Sequence, residues 1–598
     1  MPYDSIALRL LKQGQSRPST PAYYVKSGGS WVSTDYATYA RQTRQAARAL
    51  VSLGLEPGGS VAILGFNKPE WCMVDVACMM AGGAPAGIYT TCSPGEVQYI
   101  IDHSESGLVL VENHDQWAKV KEERDKGNLP KLNHVVLMKG AAAVDDDMVM
   151  TWDEFMAKAD DTEDSVIDER LDGIKKEECA TYIYTSGTTG PPKAVMLSHE
   201  NLSWTADLAS EIVDLREGDK SVSYLPLSHI AEQMFTLHGP ITQGTTVYFA
   251  ESIEKVADNF KEVQPTVLFA VPRIWEKFYA GVNGKLAMAT GIKAKLVAWA
   301  RSVGTEVSDA HNSGTEVAGL LALKYTIANK VIFSKLKPAI GLGEARICVS
   351  GAAPISAEIL RFFGSLDVRI LEVYGQSEDS GPTSFNLPGA TKFGSVGKAV
   401  KGVQVRIIDG EGKDAEEGEI IVKGPNVFLG YYKDEDATND TLKDGWLYSG
   451  DIGKFDRDGY LSITGRIKEI IITAGGKNIA PKNIEAALKN HPLVSQAVVI
   501  GDRRKYLSAL LTLDPDASAA WGKEKDISGD VHSSEQLIAE IQGWVDKTNA
   551  MFARVEHVRK FTVLAKDFEP GNELTPTLKV KRRIVNDLYS DQIEGMYT

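Results

Sequence analysis

The sequence has 598 residues, enough for several domains, and its 43% apolar and 24% charged residues are ordinary for a globular protein. Its net charge of −15 at pH 7 excludes a general attraction to nucleic acid, although a local basic patch could still bind phosphate. Five cysteines without metal-ligand spacing, no signal peptide and no run of about 18 apolar residues predict a cytoplasmic protein without disulfides or a transmembrane helix, whose membrane contact would be peripheral.

Short apolar runs alternate with helical stretches in the first part of the chain. Residues 60–64 form an apolar run, a helical stretch follows as far as Met80, and residues 108–111 are another buried-strand candidate. Runs at 135–138 and 246–249 continue the pattern. This alternation predicts α/β layers with a parallel sheet.

Three later segments differ from this pattern. Residues 139–178 are acidic and predict a surface loop between subdomains. Residues 400–464 contain short β-rich runs between Gly and Asp turns, which predict a small β subdomain. From Arg466 onward, a compact α/β segment of roughly 130 residues is long enough for one small domain.

Residues 283–343 are predicted to be helical and include four lysines in an apolar region. On a helical wheel these lysines form two groups instead of one stripe. A packed helix with solvated lysines is the favoured interpretation, and a basic helix that faces a membrane stays open as an alternative. The four are Lys324, Lys330, Lys335 and Lys337.

The strongest chemical signal is a loop rich in hydroxyl groups and glycine, which follows a predicted strand at 181–184. Glycine lets backbone N–H groups approach an anion, hydroxyls donate to phosphate oxygens, and a lysine adds positive charge. It is no Walker A loop, because two prolines separate its last glycine from the lysine. It predicts a triphosphate site, with a flexible surface turn as the alternative. The residues are Thr185, Ser186, Gly187, Thr188, Thr189, Gly190, Pro191, Pro192 and Lys193.

Further motifs follow this loop along the chain. They are 350–354 (SGAAP), 374–379 (YGQSED), 449–451 (SGD), 465–468 (GRIK), 475–479 (GGKNI) and 575–579 (TPTLK). In these motifs and their order the sequence resembles, over nearly its whole length, the adenylate-forming superfamily of acyl-CoA synthetases, luciferases and peptide-synthetase adenylation domains.

The resemblance implies an ATP site. Tyr374 would offer a flat face to adenine, Asp451 and Arg466 would bind the ribose, Ser377 would donate to the α-phosphate, and Glu378 would hold Mg²⁺ with the substrate phosphates. Besides the loop, the implied nucleotide-binding residues are Gly351, Ala352, Ala353, Tyr374, Gly375, Gln376, Ser377, Glu378, Asp379, Asp451, Arg466 and Lys579. The implied catalytic residues are Lys193, Glu378 and Lys579.

The resemblance also implies residues outside the nucleotide site. His229, in the string LPLSH, would lie in the acyl pocket near the substrate carboxylate, with a purely structural histidine as the alternative. Lys468 would be the pivot of a hinge. Gly475 and Gly476 would line the pantetheine tunnel for CoA, where a side chain would obstruct it.

The implied organisation is a layered α/β N-terminal adenylation domain that includes the small β subdomain, a hinge, and a small mobile α+β C-terminal domain. The boundaries are 1–465, 466–469 and 470–598. Three departures from the family pattern stand out. Ala194 replaces a common glycine, which puts the local backbone conformation in question, and no glycine precedes Lys579. Lys468 stands where many relatives carry Asp, although both types occur in the family.

The branch of the family is inferred from sequence motifs that are less specific than those of the superfamily. No carrier domain follows the C-terminal domain, so the acyl acceptor is expected to be CoA. The strings around 231–235 and 374–382 resemble long-chain acyl-CoA synthetases, and among them the bubblegum group. The predicted activity joins a fatty acid to CoA with ATP and Mg²⁺. A medium-chain or aryl-acid CoA ligase, and a catalytically silent fatty-acid or nucleotide-binding protein, remain as alternatives.

Overall fold

Strands and helices alternate along most of the chain in the computed structural model, which describes residues 3–185, 191–575 and 579–598. The helices are α1 Ile6–Ser16, α2 Tyr36–Ser52, α3 Pro69–Met80, α4 Pro94–His103, α5 His114–Asp125, α6 Trp152–Ala157, α7 Asp164–Gly173, α8 His199–Ile212, α9 Ile230–Gln233, α10 Gly239–Gln243, α11 Val256–Val263, α12 Pro272–Ala287, α13 Gly291–Asn312, α14 Gly319–Ala328, α15 Ser334–Ala339, α16 Ala357–Gly364, α17 Glu435–Thr441, α18 Pro481–Leu488, α19 Pro515–Glu524, α20 Glu535–Asn549, α21 Arg582–Leu588 and α22 Ser590–Gly595.

The strands, in the same numbering by chain order, are β1 Pro21–Ser27, β2 Ser30–Asp35, β3 Ser60–Leu64, β4 Ala84–Ile88, β5 Leu108–Val111, β6 His134–Leu137, β7 Val149–Met150, β8 Cys179–Thr185, β9 Lys193–Ser198, β10 Lys220–Ser223, β11 Thr246–Phe249, β12 Val267–Ala270, β13 Ile347–Ser350, β14 Ile370–Tyr374, β15 Ser384–Phe385, β16 Lys398–Ala399, β17 Gln404–Ile408, β18 Glu417–Lys423, β19 Gly430–Tyr431, β20 Leu442–Lys443, β21 Trp446–Phe455, β22 Leu461–Arg466, β23 Ile471–Ile472, β24 Asn478–Ile479, β25 Val494–Ile500, β26 Leu507–Leu513 and β27 Val558–Val563.

The largest sheet confirms the predicted parallel α/β layers. Its strand order is β19-β9-β8-β4-β3-β5-β6-β7, and β8, β4, β3, β5 and β6 run parallel. Strands β3, β4 and β5 are buried throughout, which explains their unbroken apolar runs. Strands β8 and β9 form an antiparallel pair in which Thr185 lies opposite Lys193. The two ends of the predicted phosphate loop are therefore fixed by a sheet.

A second sheet, in the order β12-β13-β14-β15-β16, begins with three parallel strands. Helices α12 to α15 form the connection from β12 to β13, which confirms that residues 283–343 are helical. The carboxyl ends of parallel strands meet at one edge of a sheet. The 350–354 motif after β13 and Tyr374 at the end of β14 therefore face the same crevice.

The predicted β subdomain at 400–464 is confirmed as an antiparallel sheet, β17-β18-β21-β20, with β22 beside β21. Beyond it, a three-stranded sheet, β25-β26-β27, packs against α18 and α20 around an apolar core of its own. This core matches the predicted small domain that follows Arg466. A further small sheet, made of β23 and β24, precedes it.

The prediction that residues 139–178 form a loop is wrong, because α6 and α7 lie within this segment. Thr151 and Glu154 form a capping box that begins α6, and Phe155 and Ile167 are buried in the main core. The many acidic residues of this segment favoured the loop prediction, although each of the two helices buries apolar residues on one side. In the described part of the chain, no helix combines the length and the apolarity needed to cross a bilayer.

Candidate active site

Three side chains converge on the carboxylate of Asp451. The hydroxyl of Tyr374 and the side-chain amide of Gln376 donate to its Oδ2 at 2.9 and 2.7 Å. The Nε of Arg466 lies 3.1 Å from its Oδ1. These four residues, called the Asp451 cluster below, bring together three of the predicted motifs, 374–379, 449–451 and 465–468.

Strand pairing builds the Asp451 cluster. Asp451 on β21 lies directly opposite Arg466 on β22, and Tyr374 ends β14, a strand of the second sheet. Burial lowers the pKa of Arg466, but Asp451, Glu469 and Glu378 together act more strongly, and the net shift is upward. The guanidinium therefore stays charged beside the carboxylate.

The 374–379 motif forms a tight turn in which glycine is required at one position. A Cβ on Gly375 would overlap the carbonyl oxygen of Gly381. The buried Asp379 accepts from the backbone N–H of Gln376 at 2.7 Å and from the hydroxyl of Thr383. Both of its oxygens therefore hold the turn itself, whereas Ser377 and Glu378 beside it remain available to a ligand, as does the ring of Tyr374.

Glu378 and Lys193 share one aromatic neighbour, Tyr431. The hydroxyl of Tyr431 donates to Oε1 of Glu378 at 2.8 Å, and the Nζ of Lys193 lies 4.8 Å from the centre of the same ring. Lys193 also lies 3.5 Å from a carboxylate oxygen of Asp434. The motifs did not identify Tyr431, and the only sequence signal for it was its position in a Gly-Tyr-Tyr string.

The rest of the phosphate loop is only partly described. Ser186, Gly187, Thr188, Thr189 and Gly190 lie outside the described residues. The ordinary strand pairing of Ala194 with Tyr184 settles the question raised by the missing glycine, because Ala194 needs no special backbone conformation.

The 350–354 motif contains a strained backbone position. Ala352 has a φ of 65°, a value that side chains other than glycine, Asn and Asp rarely adopt. A Cβ on Gly351 would lie 2.6 Å from Cγ1 of Val373 on the next strand. Ala352 and Ala353 are exposed at the edge of the crevice. The turn thus offers backbone groups close to Tyr374.

Lys579 reaches this site from the C-terminal part of the chain. Desolvation lowers the pKa of Lys579, Arg466 and Lys482 lower it further, and Asp451 and Glu378 act in the opposite direction. The Lys579 ammonium therefore interacts electrostatically with Asp451 and Arg466 of the cluster. Its backbone N–H donates to Oγ1 of Thr575 at 3.0 Å, across residues 576–578, which lie outside the described part of the chain.

Comparison with known proteins decides the family. The family model described as AMP-binding enzyme matches residues 10–432, and the model of the AMP-binding enzyme C-terminal domain matches residues 468–598. The chain belongs to the AMP-binding enzymes.

Relatives of this AMP-binding enzyme match it along almost the whole chain. The long-chain-fatty-acid–CoA ligase ACSBG2 of Xenopus laevis is 40% identical over 605 residues, which cover 96% of this chain and 81% of that protein. ACSBG1 of Macaca fascicularis, with the same activity in its name, is 37% identical over 604 residues, 96% of this chain and 82% of that one. The anthranilate CoA ligase AuaEII, solved with anthranoyl-AMP, shares the fold with a TM-score of 0.72 at 20% identity, over 98% of both chains.

In this AMP-binding enzyme, His229 caps a helix. Its Nδ1 accepts from the backbone N–H of Ala231 at 3.1 Å, at the start of α9. Desolvation, with a contribution from Lys579, lowers the pKa of His229 to about 4. The imidazole is therefore neutral at pH 7 with its proton on Nε2, and it lies near enough to Lys579 to feel its charge.

The predicted hinge residue directly follows Arg466 of this site in the chain, whereas the predicted tunnel residues lie in a separate turn. Lys468 is exposed in a short 3-10 turn, Ile467–Glu469, which directly follows Arg466. Gly475 and Gly476 are exposed in the turn between β23 and β24. A Cβ on Gly476 would meet no atom within 4 Å, so no described residue packs closely on that side of the glycine.

Proposed function

We propose that this protein is a long-chain fatty acid:CoA ligase, which converts ATP, a fatty acid and CoA into acyl-CoA, AMP and pyrophosphate through an acyl-adenylate. The observation that carries the proposal is the Asp451 cluster, in which Tyr374, Gln376 and Arg466 converge on one carboxylate. Lys579, a cation from the C-terminal part of the chain, interacts electrostatically with this cluster. The names of the relatives support the substrate class.

Two displacements would make up the reaction. A carboxylate oxygen of the acid attacks the α-phosphorus of ATP, and the bond from that phosphorus to the pyrophosphate oxygen breaks. The CoA sulfur then attacks the acyl carbon, the bond to AMP breaks, and the thiol proton passes to solvent. Neither step requires covalent bonding to the enzyme, so its contribution is positioning and charge stabilisation.

The nucleoside would bind at the Asp451 cluster. In this proposal Tyr374 lies against adenine, the turn at 351–353 offers backbone groups to it, and Asp451 and Arg466 bind the ribose. Gln376 supports Asp451 through the hydrogen bond described above. Gly375 and Asp379 act indirectly, because they shape the turn.

The triphosphate would lie between Lys193, with its loop from Thr185, and Lys579. Lys193 is exposed at the start of β9, and Asp434, 3.5 Å away, is its only ion-pair partner among the described residues. Ser377 would donate to the α-phosphate. Both cations favour the transition state, in which negative charge passes to the leaving pyrophosphate.

Glu378 fits a role as the Mg²⁺ ligand. One of its oxygens accepts from Tyr431, and the described residues hold no group of three or more acidic, His or Cys side chains that could bind a metal ion without help. Mg²⁺ ordinarily binds through one or two carboxylates together with substrate phosphates, so a single carboxylate is enough. The ion would neutralise phosphate charge.

His229 and the helix after it would define the entrance of the acyl pocket. A small cavity of about 30 Å³ lies further along, lined among others by Met234, Phe235 and Val267. Phe235 also stacks on Phe269 with ring centres 4.9 Å apart. Such a volume has room for about two water molecules, so an acyl chain would have to displace these side chains.

The C-terminal domain would rotate about Lys468 after adenylation. The pivot is exposed and lies in a short connecting turn, as hinge residues often do. Rotation would withdraw Lys579 and bring Gly475 and Gly476 to the path of the CoA pantetheine. The absence of a Cβ at both positions suits a narrow passage.

None of the five cysteines, all of which lie within the described residues, forms a disulfide, which supports a location in the cytoplasm.

A substrate panel tests the proposal. Saturated acids of increasing length, benzoate and acetate are each supplied with ATP, Mg²⁺ and CoA, and AMP release is measured. We expect the rate to rise through the long-chain range and to be negligible with acetate. Acetate or benzoate as the best substrate would overturn the long-chain assignment, and no exchange of pyrophosphate into ATP with any acid would favour the silent binding protein.

A further inference from the structure

The outer face of α14 exposes three large aliphatic side chains. Leu320, Leu323 and Ile327 are 67%, 59% and 46% exposed. Their spacing of three and four residues places them on one side of the helix. Single exposed aliphatic residues are common, but an exposed stripe along a helix marks an interaction surface.

The inner face of α14 is firmly packed, so the exposure of the stripe does not result from a loose helix. Ala328 at its end belongs to a small core with Val303 and Val307 of α13. The hydroxyl of Tyr325 donates to Oδ2 of Asp367 at 3.0 Å. The stripe is therefore presented to solvent by a helix that is anchored on its other side.

The segment that carries the stripe is basic, although the exposed Glu316 precedes it and the net charge of the chain is −15. Residues 317–343 include four lysines and no acidic residue. Lys337 pairs with Asp367 at 2.6 Å. Lys330 and Lys335 are exposed, and they have no ion-pair partner within the part of the chain that the structure describes. The same short segment thus combines exposed aliphatic groups with uncompensated cations.

We propose that this face of α14 docks on a lipid bilayer with anionic headgroups. The aliphatic stripe would enter the interfacial region, and Lys330 and Lys335 would pair with headgroup phosphates and carboxylates, as in amphipathic helices that lie on membranes. A second copy of the chain suits this face less well, because two identical basic surfaces repel each other. The inference goes beyond the proposed ligase activity and does not depend on it.

Vesicle flotation of the full chain tests the proposal without ATP, CoA or fatty acid. The probes are vesicles of phosphatidylcholine alone and of phosphatidylcholine mixed with phosphatidylserine. We expect binding to the mixed vesicles that weakens as salt is raised. Lys330→Gln with Lys335→Gln should weaken the partition coefficient by about fivefold for each lysine. Leu320→Asp with Leu323→Asp should abolish binding.

Matched controls lie in the C-terminal domain. Lys505→Gln with Lys566→Gln makes the same change in net charge, and Leu588→Asp alters an aliphatic residue that is 53% exposed; both should bind as the unaltered chain does. Thermal unfolding shows whether each variant is folded. The proposal would be overturned if the α14 variants and the control variants lost vesicle binding equally, or if the unaltered chain did not bind vesicles. It would also be overturned if the unaltered chain associated with itself and Leu320→Asp with Leu323→Asp removed that association. If the unaltered chain floats with the mixed vesicles but shows no ligase activity, that result would count against the proposed function alone.

Discussion

The hydroxyl of Tyr431 donates a hydrogen bond of 2.8 Å to Oε1 of Glu378. Because Lys193 lies over the same ring, this tyrosine holds the proposed metal ligand and faces the proposed phosphate cation at once. Such a bond fixes the carboxylate before any substrate binds, which is how supporting residues keep a site in its working geometry.

Tyr431→Phe should therefore weaken the use of Mg²⁺ more than that of the fatty acid. The ring that faces Lys193 remains, and only the hydrogen bond to a charged acceptor is lost, which costs roughly 1.5 kcal/mol or more. We expect the Mg²⁺ concentration for half-maximal rate to rise about tenfold. Tyr432→Phe, at the next position, is the control and should leave the rate unchanged. An equal effect of both variants would remove Tyr431 from the site.

Asp451→Asn tests the ribose assignment, because it keeps the shape of the side chain but removes the charge that faces Arg466. The apparent KM for ATP should rise about tenfold, while the KM for the fatty acid stays within about twofold. Initial rates with each substrate varied in turn give both constants. Asp444→Asn, in the exposed turn before β21, is the control. A parallel rise in both KM values would indicate a folding role.

The two half-reactions separate the role of Lys579. Lys579→Ala should slow formation of acyl-adenylate roughly a hundredfold or more, because one preorganised cation is lost from the transition state. The same protein should convert supplied acyl-adenylate and CoA to acyl-CoA at a near-normal rate. Lys581→Ala, which alters a half-buried neighbouring amine that donates to the carbonyl of Gly571, should impair neither step. Equal impairment of both steps by Lys579→Ala contradicts the assignment.

The lowered pKa of Lys579 also predicts a pH dependence. Lysine acts here in its charged form, so the rate of adenylation should fall as the pH rises through a value below the ordinary lysine pKa of about 10.4. Lys482→Met removes a nearby cation that lowers this pKa, and it should move the alkaline limb to higher pH. Lys581→Met serves as the control. A limb that stays in place in Lys482→Met would show that another group titrates.

Lys468→Pro tests the hinge. Proline fixes φ near −65° and should block rotation of the C-terminal domain while its present orientation is kept. We expect normal formation of acyl-adenylate with little release of acyl-CoA. Lys468→Ala leaves the backbone free and should retain both steps. Loss of both steps in the proline variant, with a normal thermal unfolding temperature, would argue against a pivot at this position.

Local patterns predicted the sheets and the motif positions, because apolar runs and turn residues act over a few neighbours. Asp451 and Arg466 could be identified from their motifs, and the structure shows that strand pairing brings them together. Tyr431 could not be identified, since its role arises from the pairing of β19 with β9, which is distant in sequence. The helices at 152–173 were missed because the prediction relied on the acidic composition of the segment. It did not use the capping box of Thr151 and Glu154, which signals the start of a helix.

Arg466 has a double position, as the partner of Asp451 and as the last residue before the turn that leads into the C-terminal domain. Any nucleotide contact that holds Arg466 in place therefore also favours one orientation of that domain. In the proposed rotation, thermodynamic linkage would make this influence reciprocal: the two orientations would differ in their affinity for AMP by the same factor by which AMP shifts their populations. Release of the nucleotide and rotation of the domain would then be coupled, so that measuring one equilibrium would also give the other.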